Sequence, residues 1–195
     1  EPPMPEAEEW PLIEKLKYEK DVIGIYLTGH PLDNYKLELQ RYCNTTVSDL
    51  KLMQKARSGE GGDDIKVAFA ELRKRAELSV GGLVSNVQHK MTKTGKPFGT
   101  FVIEDYNDSY EFALFGDDYI KFRNLLMDGY FLHIKGTIEE KFRQKDNWDL
   151  RIASMSLLSE MRDKLMKSMT ICLELNSLSN NLMDTLEQIV ESNNQ

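Results

Sequence analysis

From residue 80 to residue 158 the chain alternates apolar and polar positions in short runs, and each run ends in turn-forming residues. The first run leads into Thr92-Lys93-Thr94-Gly95-Lys96, the second into Tyr106-Asn107-Asp108-Ser109, and a third follows directly, so the spacing predicts a three-stranded meander. Two more alternating runs, over 130–142 and 148–158, predict two further strands. Between them the period changes. In residues 117–126, Tyr119, Ile120, Phe122, Leu125 and Leu126 recur at helical spacing.

Three strands, a short helix and two strands is the element order of the OB-fold, a five-stranded Greek-key barrel that holds oligonucleotides or oligosaccharides. The expected fold class is therefore α+β: a five-stranded OB-fold β-barrel preceded by a helical segment and followed by a short strand-helix tail. Three segments are expected, at 1–77, 78–158 and 159–195.

The flanks read more simply. Residues 1–9 are acidic and proline-rich, the composition of a solvated linker. Over 10–27 the residues Leu12, Ile13, Leu16, Val22, Ile23, Tyr26 and Leu27 predict a helix, with a break near Lys20-Asp21. Thr28-Gly29-His30-Pro31 then predicts a corner, because glycine commonly follows a helix end and proline suits the first turn of the next. A helix over 32–42 would turn Tyr35, Leu37, Leu39 and Tyr42 to the core, and one over 48–56 would start at Ser48 as its N-cap. Residues 58–64 read as a loop and 65–75 as a helix whose end, Arg73-Lys74-Arg75, suits the negative pole of its dipole. In the tail, 159–167 predicts a helix, 169–175 a strand, and 180–192 an amphipathic helix with Leu182, Leu186, Ile189 and Val190 on one stripe.

Composition narrows the partners. Hydrophobic residues make up 41% and charged ones 29%, which describes a folded chain, and no run has the length of a membrane span. Without an apolar leader the expected setting is the cytoplasm, where Cys43 and Cys172 are reduced thiols. The net charge of −7 excludes a protein that coats nucleic acid through its overall field. Residues 78–158 are the most nearly balanced, with 10 Lys/Arg against 11 Asp/Glu, and their cations gather in loops.

An OB barrel binds through strands 2 and 3 and the loops joining strands 1–2 and 4–5. Lys90, Lys93 and Lys96 lie in or beside the first loop, and Lys141, Arg143 and Lys145 in the second, so both can hold backbone phosphates. Alternation puts Gly99, Phe101 and Ile103 inward and Phe98, Thr100 and Val102 on the ligand face of strand 2. On strand 3, Phe112 and Leu114 point inward, leaving Glu111, Ala113 and Phe115 on that face. Phe98, ahead of Phe115, is the candidate for base stacking, and Trp148 either stacks on a base or closes the barrel end. Gly99 and Gly136 let the strands coil. Glu104-Asp105 and Asp117-Asp118 lack a third ligand, and His30, His89 and His133 are dispersed, so neither a metal nor a cofactor is expected.

The run Asp21-Val22-Ile23-Gly24-Ile25-Tyr26-Leu27-Thr28-Gly29-His30-Pro31, together with Thr92-Lys93-Thr94-Gly95-Lys96 and the later Ile134-Lys135-Gly136-Thr137-Ile138, resembles the alpha subunit of bacterial DNA polymerase III after its catalytic core. The lysine-rich turn followed by Glu104-Asp105 is shared more widely, with anticodon-binding barrels of aminoacyl-tRNA synthetases. The resemblance implies a fragment of the replicative DNA polymerase's C-terminal third whose OB domain binds single-stranded DNA template without catalysis. It also implies that the polymerase aspartates lie elsewhere in the parent chain, and that the partners are the clamp and the clamp-loader tau subunit, the tail beginning the tau-binding region. An interaction scaffold and an anticodon-binding domain are the alternatives.

Overall fold

The computed structural model describes residues 10–58, 62–140, 148–165, 168 and 180–192. The chain packs as one unit up to Lys164 and a second from Leu165 to Gln195. In the first, helices α1 (Leu12–Ile23), α2 (Lys36–Tyr42), α3 (Val47–Ser58) and α4 (Asp63–Arg73) precede a barrel. Its strands are β1 (Leu78–Met91), β2 (Pro97–Glu104), β3 (Ser109–Phe115), β4 (Phe131–Glu140) and β5 (Trp148–Leu157), with α5 (Gly116–Phe122) between β3 and β4 and α6 (Met161–Leu165) after β5. This is the expected α+β class with five strands in the expected order. In the second unit α7 (Asn180–Ser192) forms as its periodicity predicts, whereas the strand expected over 169–175 lies outside the described residues.

The sheet runs β3-β2-β1-β4-β5, with every neighbouring pair antiparallel. Strand β1 is shared: Leu78 to Leu83 pair with β4, and Leu83 to Met91 with β2. Between Ser85 and Gln88 its register slips against β2, and Asn86 at the slip has a φ of 52°. This is a β-bulge with one residue in the left-handed region, which asparagine tolerates better than most. Asp128 anchors it, its Oδ1 accepting from the Val87 amide at 2.9 Å.

Phe101, Ile103, Phe112 and Leu114 are buried as alternation requires. They join Val80, Val84, Leu132, Ile134, Leu150 and Ile152 from the other strands. Helix α5 closes one end with Tyr119 and Phe122, and α3 and α4 contribute Val47, Leu50, Met53, Phe69 and Leu72 to the same core. The helices before residue 77 and the barrel after it share one interior. A Cβ on Gly99 would lie 2.8 Å from the Tyr119 ring, and one on Gly136 2.4 Å from the Arg151 carbonyl oxygen, so both glycines mark close approaches.

Four local expectations change. Helix α1 is unbroken at Lys20-Asp21 and ends at Gly24, whose φ of 86° gives the left-handed cap, so Gly29 follows no helix. The corner's second half stands: His30 Nδ1 accepts from the Leu32 amide, Asp33 Oδ2 accepts from the His30 amide, and Pro31 opens a short 3-10 helix, Pro31–Tyr35. Leu37 is exposed, because the switch from 3-10 to α geometry rotates the faces and buries Glu38 instead, while Tyr35, Leu39 and Tyr42 pack as expected. The cap of α3 is Thr46, not Ser48: the Asp49 amide donates to Thr46 Oγ1 and the Thr46 amide to Asp49 Oδ2, a reciprocal capping box. Ser48 sits inside the helix and bonds Asp108.

One polar cluster lies where β1, β4 and α2 meet. Ser79 Oγ donates to the Tyr42 carbonyl at 2.6 Å and lies 2.6 Å from His133 Nε2. With its own proton committed to Tyr42, Ser79 can only accept, so His133 carries a proton on Nε2, and burial favours the neutral ring. Burial pushes the His133 pKa below its ordinary 6.5, and the nearby Cys43 thiol up to about 12, which keeps that cysteine protonated. The unfolded chain protonates its histidine first as pH falls, so this contribution is complete above pH 6.5 and is lost on going below it; His30, also lowered by burial, adds in the same direction. We expect the melting temperature to drop between pH 7.5 and pH 5.5. His133→Leu, less stable at pH 7.5 by about 1–3 kcal/mol for the orphaned Ser79 pair, should show a shallower drop; identical pH profiles would contradict the buried neutral histidine.

Candidate nucleic-acid interface

The outer face of β1, β2 and β3 is a grid set by strand register. Lys90 pairs with Phe98 and Phe98 with Phe115; Gln88 with Thr100 and Thr100 with Ala113; Ser85 with Val102 and Val102 with Glu111. Side chains paired across a sheet share a face, so the three rows stand on one surface. Their burial agrees: Phe98, Thr100 and Val102 are half-buried between the core positions of β2, and Glu111, Ala113 and Phe115 are exposed on β3.

The first row is a cation beside two aromatics. Phe98 and Phe115 stack at a centroid distance of 5.1 Å with planes 14° apart. Phe98 is enclosed within this pair, whereas Phe115 at the sheet edge is 56% exposed, so Phe115 offers the open ring. The expected ranking put Phe98 first, and it is the more covered of the two rings. Lys90 reaches this face only because of the bulge at Asn86. Without the extra residue the alternation from Ser85 would put Gln88 and Lys90 on the core side.

Just beyond Lys90, the β1–β2 turn is held by its own polar groups. The Thr92 amide donates to the Lys96 carbonyl at 2.8 Å, the Gly95 amide to the Thr92 carbonyl at 2.9 Å, and the Lys96 amide to Thr92 Oγ1 at 3.0 Å. Lys93 and Lys96 project from it into solvent, so Lys90, Lys93 and Lys96 form one basic margin beside Phe98. Lys141, Arg143 and Lys145 lie outside the described residues.

Trp148 is engaged elsewhere. Arg73 lies 3.5 Å over its ring and Phe69 meets it edge-on at 6.3 Å, so it seals α4 against the barrel end. Of the two roles open to it in the sequence, these contacts are those of the closing one. Arg73 and Arg75 are engaged with the fold, Arg75 donating to the Asn44 carbonyl, while Lys74 makes an exposed pair with Glu71.

The acidic residues divide into two sets. Those at the β2–β3 turn hold the fold: Asp105 Oδ2 accepts from the Val47 amide at the start of α3, its Oδ1 from the amides of Asn107 and Asp108, and Asp108 pairs with Lys51. The Lys51 and Ser48 bonds hold the Asp108 carboxyl below its usual range. Burial acts to raise Glu104, but the bonds from Lys20 and Ser85 outweigh it and hold that carboxyl low. The second set, Glu111, Asp118, Glu139, Glu140 and Asp149, lines a cleft of about 640 Å³ between β3 and β5, with Arg151 on Glu139. Glu111 and Asp118 are exposed at or just beyond the β3 edge, so charge on this surface runs from basic at the β1–β2 turn to acidic at β3. Among the described residues no three His, Cys, Asp or Glu side chains group to hold a metal ion. None of the described helices is long and apolar enough to cross a membrane.

Sequence reasoning missed Gln88 and Ser85 as members of this face. Their assignment depends on the bulge, whose weak sequence signal is an asparagine interrupting an alternating run.

Comparison with known proteins follows the same outline. Residues 78–158 match the family described as OB-fold nucleic acid binding domain. The chain is 28% identical over 134 residues to the DNA polymerase III subunit alpha of Saccharopolyspora erythraea, covering 69% of this chain and 10% of that protein. It is 27% identical over 192 residues to that of Aquifex aeolicus, covering 98% of this chain and 14% of that protein. The chain thus spans a small fraction of the curated relatives it matches, and the resemblance to the alpha subunit is borne out. Among solved structures, the yeast mitochondrial single-stranded DNA binding protein Rim1 aligns with a TM-score of 0.31 at 13% identity, over 43% of this chain and 95% of that one.

Trp148 provides a structural control for this surface. Trp148→Ala should lower unfolding free energy in urea by about 2–4 kcal/mol, and Arg73→Ala by about 1 kcal/mol through the lost ring contact. An unchanged denaturation midpoint for Trp148→Ala would return the indole to the list of candidate ligand contacts.

Proposed function

We propose that this chain is the OB-containing part of a DNA polymerase III alpha subunit, in its C-terminal third, and that its barrel binds single-stranded DNA template during replication. One observation carries the reading. An exposed ring, Phe115, stacked on Phe98, stands on the outer β2–β3 face beside a margin of three solvated lysines, Lys90, Lys93 and Lys96. Rings give sequence-tolerant stacking and lysines give phosphate attraction, the two components of single-strand binding. Thr100, Val102 and Glu111 continue the same surface, and Lys141, Arg143 and Lys145 are kept as candidate phosphate contacts on the sequence alone. Binding of this kind uses no cofactor and no metal. Nucleotidyl transfer belongs to other parts of the parent polymerase, and this segment supplies no catalytic group.

A second role has its own support. Helix α1 buries only Leu16, while Leu12, Ile13, Val22 and Ile23 on it and Ile25 and Leu27 beyond it are exposed. That apolar surface suits contact with another protein body: the rest of the parent chain, the clamp, or the clamp loader. The tail from residue 159 is assigned to the tau-binding region on the resemblance alone. A cytoplasmic setting accords with all of these roles.

The test is fluorescence anisotropy with a labelled mixed-sequence 20-nucleotide single strand at two salt concentrations. Affinity should fall as salt rises. Substituting alanine for Lys90, Lys93 and Lys96 together should reduce the slope of log affinity against log salt by about 2, at roughly 0.7 per phosphate contact. Phe115→Ala should weaken binding by about fivefold or more with an unchanged melting temperature. Absence of binding at low salt, or a triple variant that binds like the parent, would refute the template-binding role.

A further inference from the structure

Beyond the aromatic row the outer face changes character. Its second row has a low floor, Thr100 and Ala113, with Gln88 on the β1 side. In its third row Glu111 rises at the β3 edge beside Val102. Successive rows along a strand are about 7 Å apart, comparable to the step between nucleotides in an extended single strand. A base stacked on the open face of Phe115 therefore leaves the next base over Thr100 and Ala113, where small side chains leave room for a ring.

The orientation of that second base follows from charge. Lysines lie at the β1–β2 corner, and the cleft beyond β3 is lined by carboxylates, so the sugar-phosphate chain keeps to the β1 side and the base edges turn toward β3. The two polar groups flanking the base differ in what they can tell apart. The Gln88 amide both donates and accepts, so it pairs with any base edge. The Glu111 carboxylate only accepts. Glu104, one row further along β2, is taken up by Lys20 and Ser85.

We propose that Glu111 is a specificity-determining residue that makes this face favour bases carrying an exocyclic amino group, cytosine above all, over uracil and thymine. The N4 amino group of cytosine donates to a carboxylate, whereas the O4 of uracil meets it lone pair to lone pair. Stacking alone gives no such preference. The inference rests on the single-strand reading above.

The experiment compares oligo(dC) and oligo(dU) 20-mers at pH 7.5 and low salt, against the 195-residue protein and its Glu111→Ala and Glu111→Gln variants. The readout is the ratio of the two dissociation constants. Removing a negative charge strengthens phosphate attraction equally for both oligomers and leaves the ratio unmoved. We expect the parent to bind oligo(dC) at least about threefold more tightly. Either substitution should bring the ratio close to one, with oligo(dU) bound no more weakly than before and melting temperatures unchanged. Equal binding of both oligomers by the parent, or a preference that survives in Glu111→Ala, would overturn the role of Glu111 while leaving single-strand binding intact. Failure to bind either oligomer would refute the template-binding reading itself, and the specificity with it.

Discussion

The bend and bulge of β1 determine the rest of the barrel. One strand of 14 residues hydrogen-bonds to β4 along its first half and to β2 along its second, so it must turn from one side of the barrel to the other without losing its ladder. Gly81 and Gly82 sit at the turning point. A Cβ on Gly82 would lie 2.6 Å from the Glu104 carbonyl oxygen, and one on Gly81 2.5 Å from Leu39. Any larger residue would force the β1–β2 hairpin or α2 away from the strand. The bulge at Asn86 then resets which face the second half presents. Lys90 and Gln88 stand beside the aromatic pair for that reason, and Val87 returns to the core. The composition of the outer face at Gln88 and Lys90 is therefore a consequence of backbone geometry two to four residues upstream.

A second constraint ties the helical segment to the barrel. The β2–β3 turn is gripped from two sides. Tyr106 packs against His30 at 4.5 Å and donates to Asp33, while Asp105 and Asp108 receive the start of α3 and Lys51. His30 in turn meets Tyr26 edge-on, and Tyr26 lies over Lys20, the partner of Glu104. The Gly24 to Pro31 run that marks the resemblance thus acts as a clasp on the hairpin carrying Phe98 and Phe115. Its histidine is an N-cap and a ring contact, which accounts for it without chemistry.

Much of this was legible in the residues. The meander, the intervening helix and the inward and outward positions of β2 and β3 followed from alternation, because a buried barrel interior enforces period two wherever both ends of a strand are fixed. Failures came where a neighbour distant in sequence decides the outcome. Asn86 adopts its bulge against Asp128, Trp148 is covered by Arg73 and Phe69, and Thr46 displaces Ser48 as cap because Ser48 is drawn to Asp108. Gly24 and Gly29 are equally good local stop signals, and only the packing of Tyr26 and His30 on the barrel chooses between them. Which ring of Phe98 and Phe115 is the more exposed was likewise invisible, since exposure of a stacked pair depends on which strand is the sheet edge.

The acidic balance of the chain, −7 overall, is compatible with holding a polyanion because of where the acids lie. At physiological ionic strength charges separated by more than about 8 Å across solvent are largely screened, so net charge governs approach and local groups govern contact. Several carboxylates near the interface are already neutralised: Glu104 by Lys20, Asp108 by Lys51, and Asp105 by backbone amides. In the β3–β5 cleft Glu139 is paired with Arg151, while Glu111 and Asp118 stand at or just beyond the β3 edge, across the sheet from the lysine margin. A phosphate chain crossing this surface therefore meets attraction along β1 and repulsion beyond β3, and a gradient of that kind aligns a flexible strand before any base is touched. In the proposed binding mode the protein's negative charge contributes to orientation, since a uniformly basic face would leave the strand free to lie in any direction.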